Sequence, residues 1–153
     1  MYIIAFSIIY SDPIRVQFCN NLLEGFSVTH DKFALNKRNV LRGLHGDYTS
    51  WKLVTVVYGE VLQVYVDNRS ESDTFMSNNK MILNDENNKS VLIPPGVGNG
   101  FLTLSETAVY NYKLYYHGKY KDYEEQFTLK WNDPHLNINW PITDPILSRR
   151  DAS

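Results

Sequence analysis

WKLVTVVYGEVLQVYVD, residues 51–67, is the stretch on which the fold turns. Val, Thr, Leu and Tyr fill it on both sides of a single glycine, Gly59, and β-branched and aromatic side chains suit a pleated strand better than a helix. The run reads as two strands, and the glycine between them predicts a hairpin. Outward from it, further strands are expected near residues 27–32, 40–45, 80–83, 89–93, 100–104 and 107–116. Asp85-Glu86-Asn87-Asn88 and Ser105-Glu106 supply turns between them. Residues 15–23 hold the one helical pattern, with Val16, Leu22 and Leu23 on a shared face. The apolar start, MYIIAFSIIYSDP, has no basic residue before it and is too short to span a bilayer, so it reads as a strand. Many short strands separated by turn residues give an all-β sandwich or barrel.

Composition narrows the function classes. The chain has 153 residues, 43% of them hydrophobic and 21% charged, as expected of one globular domain over residues 1–153. Its formal net charge is −2 and its basic residues form no cluster, so no nucleic-acid partner is expected, and no membrane partner either. One cysteine, Cys19, reads as a small buried apolar residue and fits a reducing, cytoplasmic setting.

Seven ordered blocks carry a family resemblance. They are Asn39-Val-Leu-Arg-Gly-Leu-His45; Lys52-Leu-Val with Gly59-Glu60 and Val66-Asp67-Asn68-Arg69; Leu92-Ile-Pro-Pro-Gly96; Asn99-Gly-Phe101; Trp131-Asn-Asp-Pro134; Ile138-Asn-Trp-Pro141; and Leu147-Ser-Arg-Arg-Asp151. In this order the chain resembles the TDP-4-keto-6-deoxyglucose 3,5-epimerases. RGLHGD and SETAVYNYK look closer to a branch acting on GDP-linked 4-keto heptoses. The resemblance implies a cupin, a jelly-roll (double-stranded β-helix) barrel that pairs as a homodimer and takes a GDP- or dTDP-linked 4-keto sugar. Carbohydrate biosynthesis of the capsule or lipopolysaccharide kind would be the setting. It also implies no cofactor and no metal. Leu44 and Gly46 flank His45 where metal-binding cupins carry a His-x-His pair, and Asn99 stands at the later histidine position, which leaves too few side-chain ligands for a divalent ion.

Inverting a carbon α to a ketone needs a base on one face, an acid on the other, and a group to stabilise the enolate between them. The resemblance implies His45 as base, Tyr112 as acid and Asp151 as the carboxylate that orients His45. Without it, His45 reads as a hydrogen-bonded structural histidine and Asp151 as part of a loose chain end. Lys52 would face the enolate, the rival reading being an exposed strand residue. Gly43 lets the strand bend so that Arg42 and His45 face one cavity, and Arg42 would hold the diphosphate or the enolate oxygen. In residues 107–116 the even positions Ala108, Tyr110, Tyr112, Leu114 and Tyr116 share one face, and three phenols together suggest a wet pocket rather than a dry aromatic ladder. Tyr110 would share that pocket, and the resemblance implies Tyr116 as a second substrate tyrosine and puts Asn99 and His30 at substrate-side positions. His117 and His135 are expected to be exposed, and Trp131 and Trp140 to close one end of the barrel. A 3,4-ketoisomerase, or an inert sugar-nucleotide binder of the same fold, is the competing expectation. The family's N-terminal arm carries an Arg-Gly-x-Phe-x-Glu stretch that helps hold the nucleotide. Met1–Ser7 resembles only the end of that arm, and weak binding of nucleotide diphosphates is expected to follow.

Overall fold

The computed structural model describes residues 4–7 and 28–153. The expected helix at 15–23 and the burial of Cys19 lie outside the described residues. Ten strands are described: β1 (Ile4–Ser7), β2 (Val28–Lys37), β3 (Leu41–Gly46), β4 (Trp51–Tyr58), β5 (Glu60–Asp67), β6 (Asn78–Asn84), β7 (Lys89–Ile93), β8 (Val97–Thr103), β9 (Thr107–Tyr115) and β10 (Phe127–Thr128). They form two antiparallel sheets of five, ordered β1-β7-β4-β9-β2 and β10-β3-β8-β5-β6. From β2 to β10, consecutive strands change sheet at every connection except β5–β6. That is the jelly roll of a cupin.

Every expected strand is present, but the expected hairpin at Gly59 is not. β4 pairs with β7 and β9, whereas β5 pairs with β6 and β8. Gly59, at φ +75°, is the corner where the chain leaves one sheet for the other. Its N–H donates to Asp85 Oδ2 at 3.1 Å, and a Cβ there would meet the backbone of Thr107 and Ala108. A hairpin would have kept both runs in one sheet. Instead each run has a partner on both sides, and residues 61–67 are buried throughout.

Packing follows from that double wall. Between the sheets Val54, Val56, Val61, Tyr65, Val91, Ile93, Phe101 and Tyr110 form the main core. Behind the second sheet Leu41, Leu44, Val64, Val66 and Leu102 pack against Leu136, with Trp131 and Trp140 half-buried over them. Each buried large aliphatic or aromatic side chain contributes about 1.5–3 kcal/mol, so both layers matter to stability. Trp131 and Trp140 thus cover the outer face of a sheet, joined by a 2.8 Å bond from Trp140 Nε1 to Trp131 O. The covering segment is stitched along β3. Leu129 N donates to Leu44 O, Leu41 N to Ile146 O and Ile146 N to Asn39 O. This stitching carries the chain end back to the mouth of the barrel.

Candidate active site

The barrel opens into a cavity of about 410 Å³ between the two sheets. β3 is the strand whose irregularity makes the site. Residues 42 and 45 are an odd number apart, so a regular strand would point them to opposite faces. In the ladder with β8, Arg42 lies opposite Phe101 and His45 opposite Asn99, so β3 spends one more residue than its partner. This bulge turns both Arg42 and His45 into the cavity. Gly43 permits it: its φ is +117°, and a Cβ there would run into Asn99 and Gly100 backbone.

Asp151 reaches the bulge from the stitched chain end. Its Oδ1 lies 2.7 Å from His45 Nε2 and accepts the Gly43 N–H at 3.3 Å. The imidazole N–H is not well aligned with the carboxylate, so this is a close polar contact more than a straight hydrogen bond. Ser148 Oγ donates to Oδ2 at 2.6 Å. Burial pushes the Asp151 carboxyl up, but His45, Ser148 and the Gly43 amide together hold it below its ordinary value. With Nε2 against a carboxylate, Nδ1 is the nitrogen left to take up a proton.

Lys52 comes from β4, across the cavity. Its Nζ donates to His45 O and to Asn99 Oδ1, each at 3.3 Å. Burial lowers its pKa to about 8; Asp47 acts against that fall and the Arg150 charge adds to it. Tyr110, Tyr112 and Leu114 line the wall that β9 forms, as alternation required. Tyr110 is fully buried, donates to Gln63 Oε1 at 2.7 Å and stacks on Phe101 at 4.1 Å. Tyr112 is half-buried. Desolvation raises its pKa, while the Lys32 and Arg42 charges pull it down. His45 and Tyr112 therefore stand on different sheets, facing each other over one cavity.

Two expected contacts fall behind this shell. Tyr116 and His30 do not line the cavity but pair with each other, Tyr116 Oη to His30 Nδ1 at 3.3 Å. β9 ends at Tyr115, and past a strand end the two-residue alternation no longer fixes direction. Tyr120 takes the place beside the cavity, with His30 and Tyr116 packed against its ring at 4.7 and 5.6 Å. Arg150, adjacent to Asp151, also lines the cavity and bonds Gln126 Oε1 and Thr128 Oγ1 at 2.9–3.1 Å. Sequence reasoning missed Tyr120 and Arg150. Arg150's position inside the Leu147–Asp151 block was the available signal, whereas Tyr120 had none. His117 and His135 are exposed, as expected. Among the described residues no three His, Cys, Asp or Glu side chains gather into a metal-binding group, and no helix is long and apolar enough to cross a membrane.

A half-buried histidine held by a buried carboxylate, with a phenol on the facing sheet and a desolvated ammonium in the same cavity, is equipment for moving a proton at carbon next to a carbonyl. The fold and site define a cupin-type epimerase. Residues 15–153 match the family of dTDP-4-dehydrorhamnose 3,5-epimerase, and the chain belongs to that family. It is an epimerase, and so an isomerase. The enzyme of that name from Salmonella typhimurium is 40% identical over 127 residues, covering 80% of this chain and 68% of its own. That from Methanothermobacter thermautotrophicus is 38% identical over 130 residues, with the same coverage. Among solved structures, the Legionella pneumophila dTDP-6-deoxy-D-glucose-3,5-epimerase in complex with dTDP-4-keto-L-rhamnose superposes with a TM-score of 0.81. It has 31% identity, covering 99% of this chain and 90% of that one. ChmJ, a 3'-monoepimerase from Streptomyces bikiniensis in complex with dTDP-quinovose, gives a TM-score of 0.84 at 27% identity, covering 98% and 81%.

Proposed function

We propose that this chain inverts C3, C5 or both of a nucleotide-linked 4-keto sugar, with His45 as base and Tyr112 as acid. The observation that carries the reading is their placement on opposite sheets across one cavity. A sugar ring lying between the walls would present one face to each. His45 Nδ1 takes the proton from the carbon next to the ketone, and the C–H electron pair moves into an enolate. The Lys52 ammonium stabilises the oxyanion, with Arg42 and Arg150 as further cations near the diphosphate. Tyr112 Oη then protonates the carbon from the other face, and solvent returns both groups to their starting states. Asp151 holds His45 in orientation and favours its protonated form.

The solved relatives named above hold dTDP sugars, which favours a dTDP-linked substrate here. RGLHGD and SETAVYNYK keep a GDP-linked 4-keto heptose as the other candidate. The enzyme would work in the cytoplasm as a homodimer. β2 is a sheet edge, and Phe33 and Leu35 on its outer face are 61% and 70% exposed, an apolar pair that a second copy would cover. Incubation with dTDP- and GDP-linked 4-keto sugars in deuterated water tests the reading. Epimerisation labels C3 or C5, a 3,4-ketoisomerase relocates the carbonyl, and an inert binder does neither. His45→Asn should lower exchange by ~10²–10⁴; exchange at the parent rate in that variant would refute the assignment of the base.

A further inference from the structure

Lys32 has no role in the chemistry above, yet it lies directly across the β2–β9 ladder from Tyr112. Cross-strand neighbours on one face are the closest side-chain pairs in a sheet. Its ammonium sits 5.9 Å from the centre of the Tyr112 ring and 5.0 Å from that of Tyr120. Among the described residues Lys32 has no carboxylate partner; the neighbouring carboxylate, Asp31, is bound to Lys113 and Asn111 on the other face. A half-buried cation held over two phenols and not neutralised by an acid projects its charge onto them.

We propose that Lys32 is a positioning residue that acts through Tyr112, its charge setting how readily the phenol gives up its proton to the enolate carbon. This rests on Tyr112 being the acid. The other polar groups near the phenol are Arg42 on β3, Tyr110 on β9 and Tyr120, with His45, Lys52, Asp122 and Arg150 elsewhere in the lining of the same cavity. Tyr110 is neutral and Tyr120 opposes phenolate formation, so Lys32 and Arg42 are the groups that favour it. Arg42 already spends its Nε on Asn36 Oδ1 at 2.6 Å. Burial and Tyr120 would otherwise make Tyr112 a poor acid, and a cation at this range acts against both.

The test compares wild type, Lys32→Met and Lys32→Arg, with dTDP-4-keto-6-deoxyglucose as probe in deuterated water, or the GDP-linked 4-keto sugar should only that one react. Exchange without inversion reports the base, and inversion reports the acid, so their ratio isolates Tyr112. Removing the charge should leave exchange within about twofold and lower the inversion-to-exchange ratio about two- to tenfold, with Lys32→Arg restoring it. In protein carrying tyrosine labelled with carbon-13 at Cζ, the Tyr112 titration, assigned through Tyr112→Phe, should move to higher pH in Lys32→Met only. An unmoved Tyr112 titration overturns the proposal, and so does a raised KM with an unchanged ratio, which would make Lys32 a substrate contact. Tyr112→Phe that still inverts would instead refute the assignment of the acid, and Lys32 with it; the two failures are told apart by that variant.

Discussion

Lys52 should make the protein less stable at neutral pH than it would be without that charge. The side chain is only 9% exposed, and burial brings its pKa from 10.5 to about 8. At about 1.4 kcal/mol per tenfold change, the charged form costs roughly 3 kcal/mol in the folded state. Below pH 8 both folded and unfolded chains carry the proton, and the full cost is present. Between about 8 and 10.5 the unfolded chain binds the proton and the folded chain does not, so stability rises with pH and the cost disappears. Lys52→Met removes the charge but leaves His45 O and Asn99 Oδ1 short of a donor, which returns about 1–3 kcal/mol. The net change at pH 7 is therefore small, between no effect and a gain of about 2 kcal/mol. The pH dependence is the sharper signal: wild type should gain roughly 3 kcal/mol on Lys52→Met between pH 8 and 10.5. Urea unfolding of both proteins at a series of pH values measures it, and groups common to the two cancel in the difference. A difference that stays flat from pH 7 to 10.5 would refute a desolvated ammonium. Turnover should be lost in the variant throughout, because the charge that costs stability is the one proposed to stabilise the enolate.

Asp151→Asn should slow proton exchange by about tenfold or more while retaining the fold, since Ser148 and the Gly43 amide can still find an oxygen; near wild-type exchange would show that the pair is only structural. Gly43→Ala should destabilise by more than about 1 kcal/mol, because its Cβ has no room against Asn99 and Gly100, and should lower activity further by displacing His45. Thermal melts alongside exchange rates check both effects. Prolonged chelation should leave exchange unchanged, and loss of activity restored by one divalent ion would overturn a mechanism built only on side chains.

The sequence by itself determined which segments are strands and which face β9 turns to the cavity, because β-branched runs and two-residue alternation are local properties of the chain. It also supplied His45, Arg42, Lys52, Asn99 and Asp151 through ordered blocks, and Tyr110 and Tyr112 through alternation and the resemblance, and the structure brings all seven to one place. Partnership was decided only by the tertiary structure. A strand buried on both sides reads the same whether its neighbour in sequence lies beside it or in the opposite sheet, so Gly59 looked like a hairpin and is a corner. Tyr116 was expected at the cavity on an alternation that lapses where β9 ends, and His30 on the resemblance; the two pair with each other, and Tyr120 lines the cavity instead. A period of two alone does not give the bulge in β3, but the glycine of Arg-Gly-Leu-His signals it, and without it Arg42 and His45 would face opposite ways. Which distant groups meet depends on how the ten described strands are shared between two sheets, and each strand's own residues carry no record of that.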